Sequence, residues 1–308
     1  MQDNYQKTLA EPLTFDGIGL HTGQTSKITI LPGTEDQGIV FKRIDLKNNN
    51  LIKANYKNVS SAKLCTTLEN SHGVKVSTVE HLLAAFYISG IDNATVEINC
   101  NEVPIMDGSA KEFLDVLKKV KTKKLQKKIK YLRVLEKVEL IDEKRKISIE
   151  PSDEFLEVDF QLNYDNQIIG KQKNIINFTK DNLNDVSNSR TFCLFDDIEK
   201  IKKSGLAKGG SLENAVVVDD QKVLNKGGLR NKKEFVNHKI LDLVGDLLLS
   251  GHRILGKVKC FQGGHELTNM FLKKMLVSRT ESIIIEEKKS ETIKRFKPES
   301  PVKLAVNA

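Results

Sequence analysis

Residues 234–251 read EFVNHKILDLVGDLLLSG, a segment in which Ile240, Leu241, Leu243, Val244, Leu247 and Leu248 surround His238, Asp242 and Asp246, each four apart. At about 3.6 residues per helical turn these three share one face. A solvent-facing stripe would mix Lys, Glu, Gln and Ser; an imidazole and two carboxylates in an apolar frame predict a core helix that carries a site. Alone, H-x-x-x-D is also the pattern of an ordinary i, i+4 hydrogen-bonded pair. A further ligand and a base must therefore come from elsewhere in the chain.

Around this helix the pattern alternates between strand and helix signals. Alternating or β-branched runs bounded by Gly, Asn and Pro predict strands at residues 27–31, 38–43 and 64–68. Between the N-terminus and the first of these lies GIGLHTG (residues 17–23), whose last Gly falls one residue late for a dinucleotide fingerprint and which no helix pattern follows. It predicts a turn that displays His21. Ser77 and Thr78, followed by Glu80, give a helix start, and Ser89-Gly90 gives its stop. A strand at 93–99, the turn PIMDG (104–108) and a helix at 109–120 follow. The second half predicts strands over 132–163 with a charged turn at 142–146, a short helix at 196–203, a Gly-rich turn at 205–211 and a strand at 215–218. After the long helix from residue 232 come a strand at 257–261, Gly263-Gly264-His265, and a helix to about residue 277. The tail from residue 286 has low apolar content and is expected to be mobile at its end.

The two halves repeat one order: a β-rich lead, a helix ending in Ser-Gly, a strand, a Gly turn and a helix. His81 lies nine residues before Gly90, and Asp242 nine before Gly251. A duplicated unit packed about a pseudo-two-fold axis would bring these residues together at matching turns.

Composition narrows the function classes. The chain has 308 residues, enough for two domains, and ordinary hydrophobic and charged fractions. Its start lacks the features of a secretory signal and no apolar run approaches the ~20 residues that span a bilayer, so a cytoplasmic location is expected. Cys65, Cys100, Cys193 and Cys260 are scattered, which argues against a thiolate zinc site or a disulfide framework. The net charge of +8 is concentrated in KKVKTKKLQKKIK (118–130), with more Lys near residues 294–297. No aromatic residue interleaves the first run, so a solvated linker is favoured over a nucleic-acid surface.

A catalytic zinc takes three protein ligands and keeps one position open. His81, His238 and Asp242 meet that count, and the adjacent Glu80 could accept a proton from water, although a first-turn Glu also complements the helix dipole. His265, at a helix start, could act as a general acid if a carboxylate such as Asp246 keeps it protonated; a surface or capping histidine is the plainer alternative. Thr191 offers a hydroxyl for an oxyanion or a structural turn. A zinc peptidase or other amidohydrolase is a rival reading, weakened by the absence of H-E-x-x-H. A nucleic-acid-binding module using the basic run is a second.

The runs STVEHLLAA (77–85), PIMDGSA (104–110), SRTF (189–192), GGS with VVVDD, VLN and GLR (209–230), EFVNHKILDLVGDL (234–247) and SGH (250–252) resemble the zinc-dependent UDP-3-O-acyl-N-acetylglucosamine deacetylases of lipid A biosynthesis. GIGLHTG and GGHELTN match as well, and the resemblance spans residues 7–277. It implies an α+β fold of two similar domains, 1–127 and 128–285 with a tail at 286–308, each a β-sheet layer plus a helix pair, the helical layers sandwiched between the sheets. It further implies metal ligands His81, His238 and Asp242, a general base Glu80, a general acid His265 with Asp246 orienting it, and an oxyanion-side hydroxyl on Thr191. The resemblance makes Lys239, Leu64, Cys65, Phe192 and His21 the expected substrate-binding positions. The acyl chain is expected along residues 193–218. Where relatives set an aromatic against uracil, this chain has Val158, with Phe155 and Phe160 nearby. The expected cofactor is Zn2+, with Fe2+ as the alternative. The expected partner is the acylated UDP-sugar alone: no nucleic acid, at most peripheral contact with the inner membrane surface, and a monomer.

Overall fold

The computed structural model describes residues 4–284, and the tail read from residue 286 lies outside them. In chain order, β1 (Tyr5–Leu9), β2 (Leu13–Ile18), β3 (Thr25–Pro32), β4 (Ile39–Arg43) and β5 (Leu51–Lys53) precede β6 (Val59–Ser61), β7 (Thr67–Glu69) and β8 (Lys75–Val76). Helix α1 (Glu80–Ser89), β9 (Ala94–Ile98), α2 (Lys111–Leu117) and β10 (Thr122–Lys128) follow. The second half opens with β11 (Lys130–Val134), β12 (Val138–Asp142), β13 (Arg145–Phe155), β14 (Glu157–Asn163) and β15 (Lys171–Asn177). It continues through α3 (Asn184–Ser187), β16 (Phe192–Leu194), α4 (Phe195–Lys203), β17 (Val216–Val218), α5 (Glu234–Leu247), β18 (Arg253–Phe261), α6 (His265–Val277) and β19 (Thr280–Ile284). The mixture of sheets and helices is α+β, as expected.

Strand order exposes the repeat. The first sheet runs β2-β3-β9-β4-β5, antiparallel except for the parallel β9–β4 pair. The second contains β12-β13-β18-β14-β15, antiparallel except for the parallel β18–β14 pair. Here β11 also pairs in parallel with β18, and β19 lies on β11. In each sheet the inserted strand, β9 or β18, enters after a helix that stops at Ser-Gly. Gly90 (φ 75°) and Gly251 (φ 78°) both take the left-handed conformation that lets the chain turn there without a Cβ penalty. Alternation fixes the buried faces: in β3, Ile28 and Ile30 are fully buried while Lys27 is exposed.

Matching positions of the two halves meet. His81 and Asp242 are in contact, and Arg253 Nε donates to Asp92 Oδ1 at 2.9 Å, each of that pair lying two residues beyond its Ser-Gly stop. Helices α1 and α5 thus lie side by side, in register. Gly245 permits the approach, because a Cβ there would stand 2.1 Å from the Glu80 carbonyl oxygen. Gly245→Ala ought therefore to destabilise the fold by about 1–3 kcal/mol through overpacking. Helix propensity alone would stabilise by ~1 kcal/mol, so the sign of the change in Tm decides. One continuous hydrophobic core includes residues from both sheets and from α1, α5 and α6.

Several local expectations are corrected. The basic run is not a linker: β10 pairs antiparallel with β1, and its lysines stay largely exposed, with Lys127 paired to Asp36 and Lys124 set over the Tyr5 ring. With both faces wet, no apolar alternation marks the strand. The strand expected at 64–68 begins only at Thr67, and Leu64 (φ 66°) opens a loop instead. The helix expected at 109–120 spans Lys111–Leu117. Ser77 and Thr78 do not cap α1; Thr78 takes a positive φ of 57°, and its hydroxyl donates to Glu102 Oε1. GIGLHTG is a turn, but His21 is buried rather than displayed, its backbone N–H donating to the buried Glu102 carboxylate at 2.8 Å.

Candidate active site

The polar stripe of α5 is buried, as the apolar frame predicted: His238, Asp242 and Asp246 are each at most 3% exposed. One helical turn joins His238 Nε2 to Asp242 Oδ1 at 3.3 Å. From α1, His81 Nε2 reaches the same oxygen at 3.4 Å, and the two imidazoles sit edge to face with centroids 5.0 Å apart. Among the described residues, these three form a group whose donor atoms all lie within 4.8 Å of one another.

Their chemistry fits a divalent cation. Asp242 Oδ1 is buried and has no hydrogen-bond partner, a costly state for a carboxylate oxygen unless a cation completes it. His238 Nδ1 lies 3.1 Å from the Ser189 carbonyl oxygen, which as an acceptor requires the proton on Nδ1 and leaves the Nε2 lone pair facing Asp242. Burial pulls the His238 pKa down to about 3, so the ring is neutral and able to ligate near neutral pH. Two imidazoles and one carboxylate form a donor set suited to zinc or iron.

Beside this group lies a second cluster of Glu80, Asp246 and His265. His265 Nδ1 is 2.7 Å from Asp246 Oδ2, while its Nε2 is 3.6 Å from Glu80 Oε1 and 3.9 Å from Asp242 Oδ2. Burial by itself would discharge His265, but the carboxylates of Asp246, Glu80 and Asp242 outweigh it and raise the pKa to about 10. Burial pushes the Glu80 carboxyl up, against the opposing pull of His265 and His81. One buried pocket thus holds a protonated imidazole and a carboxylate made more basic, the pairing expected of a general acid and a general base.

The other expected positions divide. Lys239 is half-buried, donates from Nζ to Asp242 Oδ2 at 3.0 Å and sits 5.5 Å from the centre of the Phe192 ring. Phe192 packs edge-on against Phe235 and His238. Cys65 is buried, and its thiol is pushed up to about 12 by burial and then by Glu80. Leu64 is 48% exposed and stands at the rim. His21 Nε2 is buried without a hydrogen-bond partner, and its pKa is lowered by burial, with His265 adding to the effect against Glu102. Thr191 is held by its backbone, donating to Gly108 O at 2.8 Å and accepting from Val216 at 2.7 Å. Among the described residues, its hydroxyl bonds to neither histidine nor carboxylate of the site. Val158 is fully buried and Phe160 nearly so, which leaves neither on a surface where a base could stack, and Phe155 packs on Tyr131.

Two residues escaped the sequence reading. Glu234, fully buried, accepts from Arg190 Nε at 2.8 Å and from the backbone N–H groups of Arg190 and Arg230. It thereby fixes the segment whose Ser189 carbonyl orients His238. Thr66, 2% exposed, donates its N–H to Glu80 Oε2 and its hydroxyl to Asp246 Oδ1. Arg190 and Glu234 lie 44 residues apart and Thr66 and Asp246 180 apart, so no local pattern announces either residue.

Residues 6–277 match the family model described as LpxC, UDP-3-O-acyl N-acetylglycosamine deacetylase. Curated relatives named UDP-3-O-acyl-N-acetylglucosamine deacetylase include that of Pseudoalteromonas translucida, 41% identical over 89% of this chain and 91% of the relative. That of Geobacter sp. strain M21 is 43% identical over 88% and 89%, and that of Nautilia profundicola 38% identical over 93% and 97%. With a match that covers most of its length and relatives of this identity, the chain belongs to the UDP-3-O-acyl N-acetylglycosamine deacetylase family.

Proposed function

We propose that this protein hydrolyses the 2-acetamido group of UDP-3-O-(3-hydroxyacyl)-N-acetylglucosamine and releases acetate, a step of lipid A biosynthesis. The observation that carries the reading is the meeting of His81, His238 and Asp242 around an unpartnered carboxylate oxygen, with Glu80 and His265 alongside. Zn2+ is the expected ion, with Fe2+ as the alternative; when bound by these three residues it supplies Lewis acidity toward the amide carbonyl and toward water.

The chain's own residues do the rest. Glu80 accepts a proton from the attacking water as its oxygen bonds to the amide carbon. The Thr191 hydroxyl donates to the carbonyl oxygen as negative charge develops there. His265, kept protonated by Asp246, gives its proton to the amide nitrogen as the C–N bond breaks, because an unprotonated amine anion is a poor leaving group. Lys239, Phe192, Cys65, Leu64 and His21 line the substrate. The acyl chain runs along residues 193–218, a reading supported by α4, which buries none of its residues and leaves Phe195 54% and Leu212 beyond it 45% exposed.

The matching strand orders support two similar domains, 1–127 and 128–285; placing the helical layers between the sheets is carried from the family. A cytoplasmic monomer with at most peripheral membrane contact is the reading that follows from the family; among the described residues no helix is long and apolar enough to cross a membrane. The deciding experiment is elemental analysis of the purified protein together with acetate release from the acylated UDP-sugar. One equivalent of metal and stoichiometric acetate are expected. Cleavage of simple peptides without a nucleotide requirement would instead favour a general amidohydrolase.

A further inference from the structure

Thr66 engages both proton-handling carboxylates at once, from the side opposite His265. Its backbone N–H donates to Glu80 Oε2 at 3.1 Å, and its hydroxyl donates to Asp246 Oδ1 at 2.6 Å. The remaining oxygen of each carboxylate faces His265: Asp246 Oδ2 lies 2.7 Å from Nδ1, and Glu80 Oε1 lies 3.6 Å from Nε2. A closed circuit results, running Glu80, Thr66, Asp246, His265 and back to Glu80. It draws on the loop before β7, on α1, on α5 and on α6, and every member is at least nine-tenths buried.

We propose that Thr66 is a positioning residue for the reaction, holding the Glu80 and Asp246 carboxylates in the rotamers that present one oxygen of each to His265. The inference rests on the assignment of Glu80 and His265 as base and acid. A buried carboxylate with one satisfied oxygen can turn so that either oxygen meets its partner; engaging Oδ1 of Asp246 from the opposite side leaves only Oδ2 for the imidazole. The loop geometry serves this end. Leu64 takes φ 66°, which turns the chain so that residues 65 and 66 point inward while Leu64 itself stays at the surface.

Thr66→Val preserves the backbone donor and the side-chain shape but deletes the hydroxyl, and Thr66→Ser restores it. For Thr66→Val, kcat should fall about 10–100-fold, the usual cost of losing an outer partner of a site residue, with KM and metal content unchanged. Thr66→Ser should recover most of the loss. An independent readout is the His265 Nδ1–H signal in nitrogen-15 correlated NMR of metal-free protein. This hydrogen-bonded proton should be protected from exchange in wild type and in Thr66→Ser, and should broaden or vanish in Thr66→Val. Should Thr66→Val fail to fold, Thr66→Ala carries the same two measurements.

A wild-type kcat without the hydroxyl, a serine variant as slow as the valine one, or an unaltered His265 signal would each overturn the proposal. A merely structural role would lower Tm while leaving turnover per folded molecule intact. If the wild-type protein released no acetate, the deacetylase reading would fail, and the NMR comparison would still judge the role of Thr66.

Discussion

Glu80→Gln and His265→Ala should each lower kcat by about 10²–10⁴-fold while the bound metal stays at the wild-type level. The size follows from what each group supplies. Glu80 is the carboxylate whose affinity for a proton burial has raised, and Gln keeps its shape and its ability to accept from the Thr66 N–H but cannot take a proton. His265 is the cation facing three carboxylates, and without it the departing amine has no nearby proton donor. Neither residue belongs to the His81, His238 and Asp242 group. Steady-state acetate release combined with elemental analysis on the same preparation separates loss of chemistry from loss of the ion. Wild-type turnover in either variant would remove that residue from the mechanism.

The second large effect is of the opposite kind. His238→Ala should abolish metal binding, and with it turnover. Loss of an outer partner typically costs about 10–100-fold in affinity or activity, and removal of a ligand exceeds that. His238 is the sharpest choice of the three, because its ring is already neutral and already oriented by Ser189 O, so that little beyond ligation is lost with it. Asp242→Ala would also leave the Lys239 ammonium without its carboxylate partner, which confuses folding with binding. A chelator applied to wild-type protein should reproduce the inactive state and added Zn2+ should reverse it, whereas the alanine variant should not respond. Full metal occupancy in His238→Ala would contradict its assignment as a ligand.

The elements of the site were legible to different degrees. Residues 238, 242 and 246 could be placed on one face because helical periodicity is a local property, and an imidazole with two carboxylates is conspicuous among leucines. The equal spacing of His81 and Asp242 from their Ser-Gly stops anticipated their contact, and the shared strand order of the two sheets supplies the reason. Strand β10 was missed because its lysines lie at a wet ribbon where backbone pairing needs no apolar pattern. His21 was read as displayed because a Gly-rich turn favours exposure; the buried Glu102 carboxylate, eighty-one residues away, draws it in.

By itself the sequence determined the type and order of most elements, the helix that carries the polar stripe, the family motifs and the chemical character of the candidate ligands. All of these depend on neighbours within a few turns or strands. Only the tertiary structure decided which oxygens stay unpartnered, that Gly245 lets α1 approach α5, and that Thr66 reaches both Glu80 and Asp246, the latter 180 residues further along the chain. Such meetings are set by how packed surfaces fit. Packing couples residues through space without leaving a periodic trace along the chain.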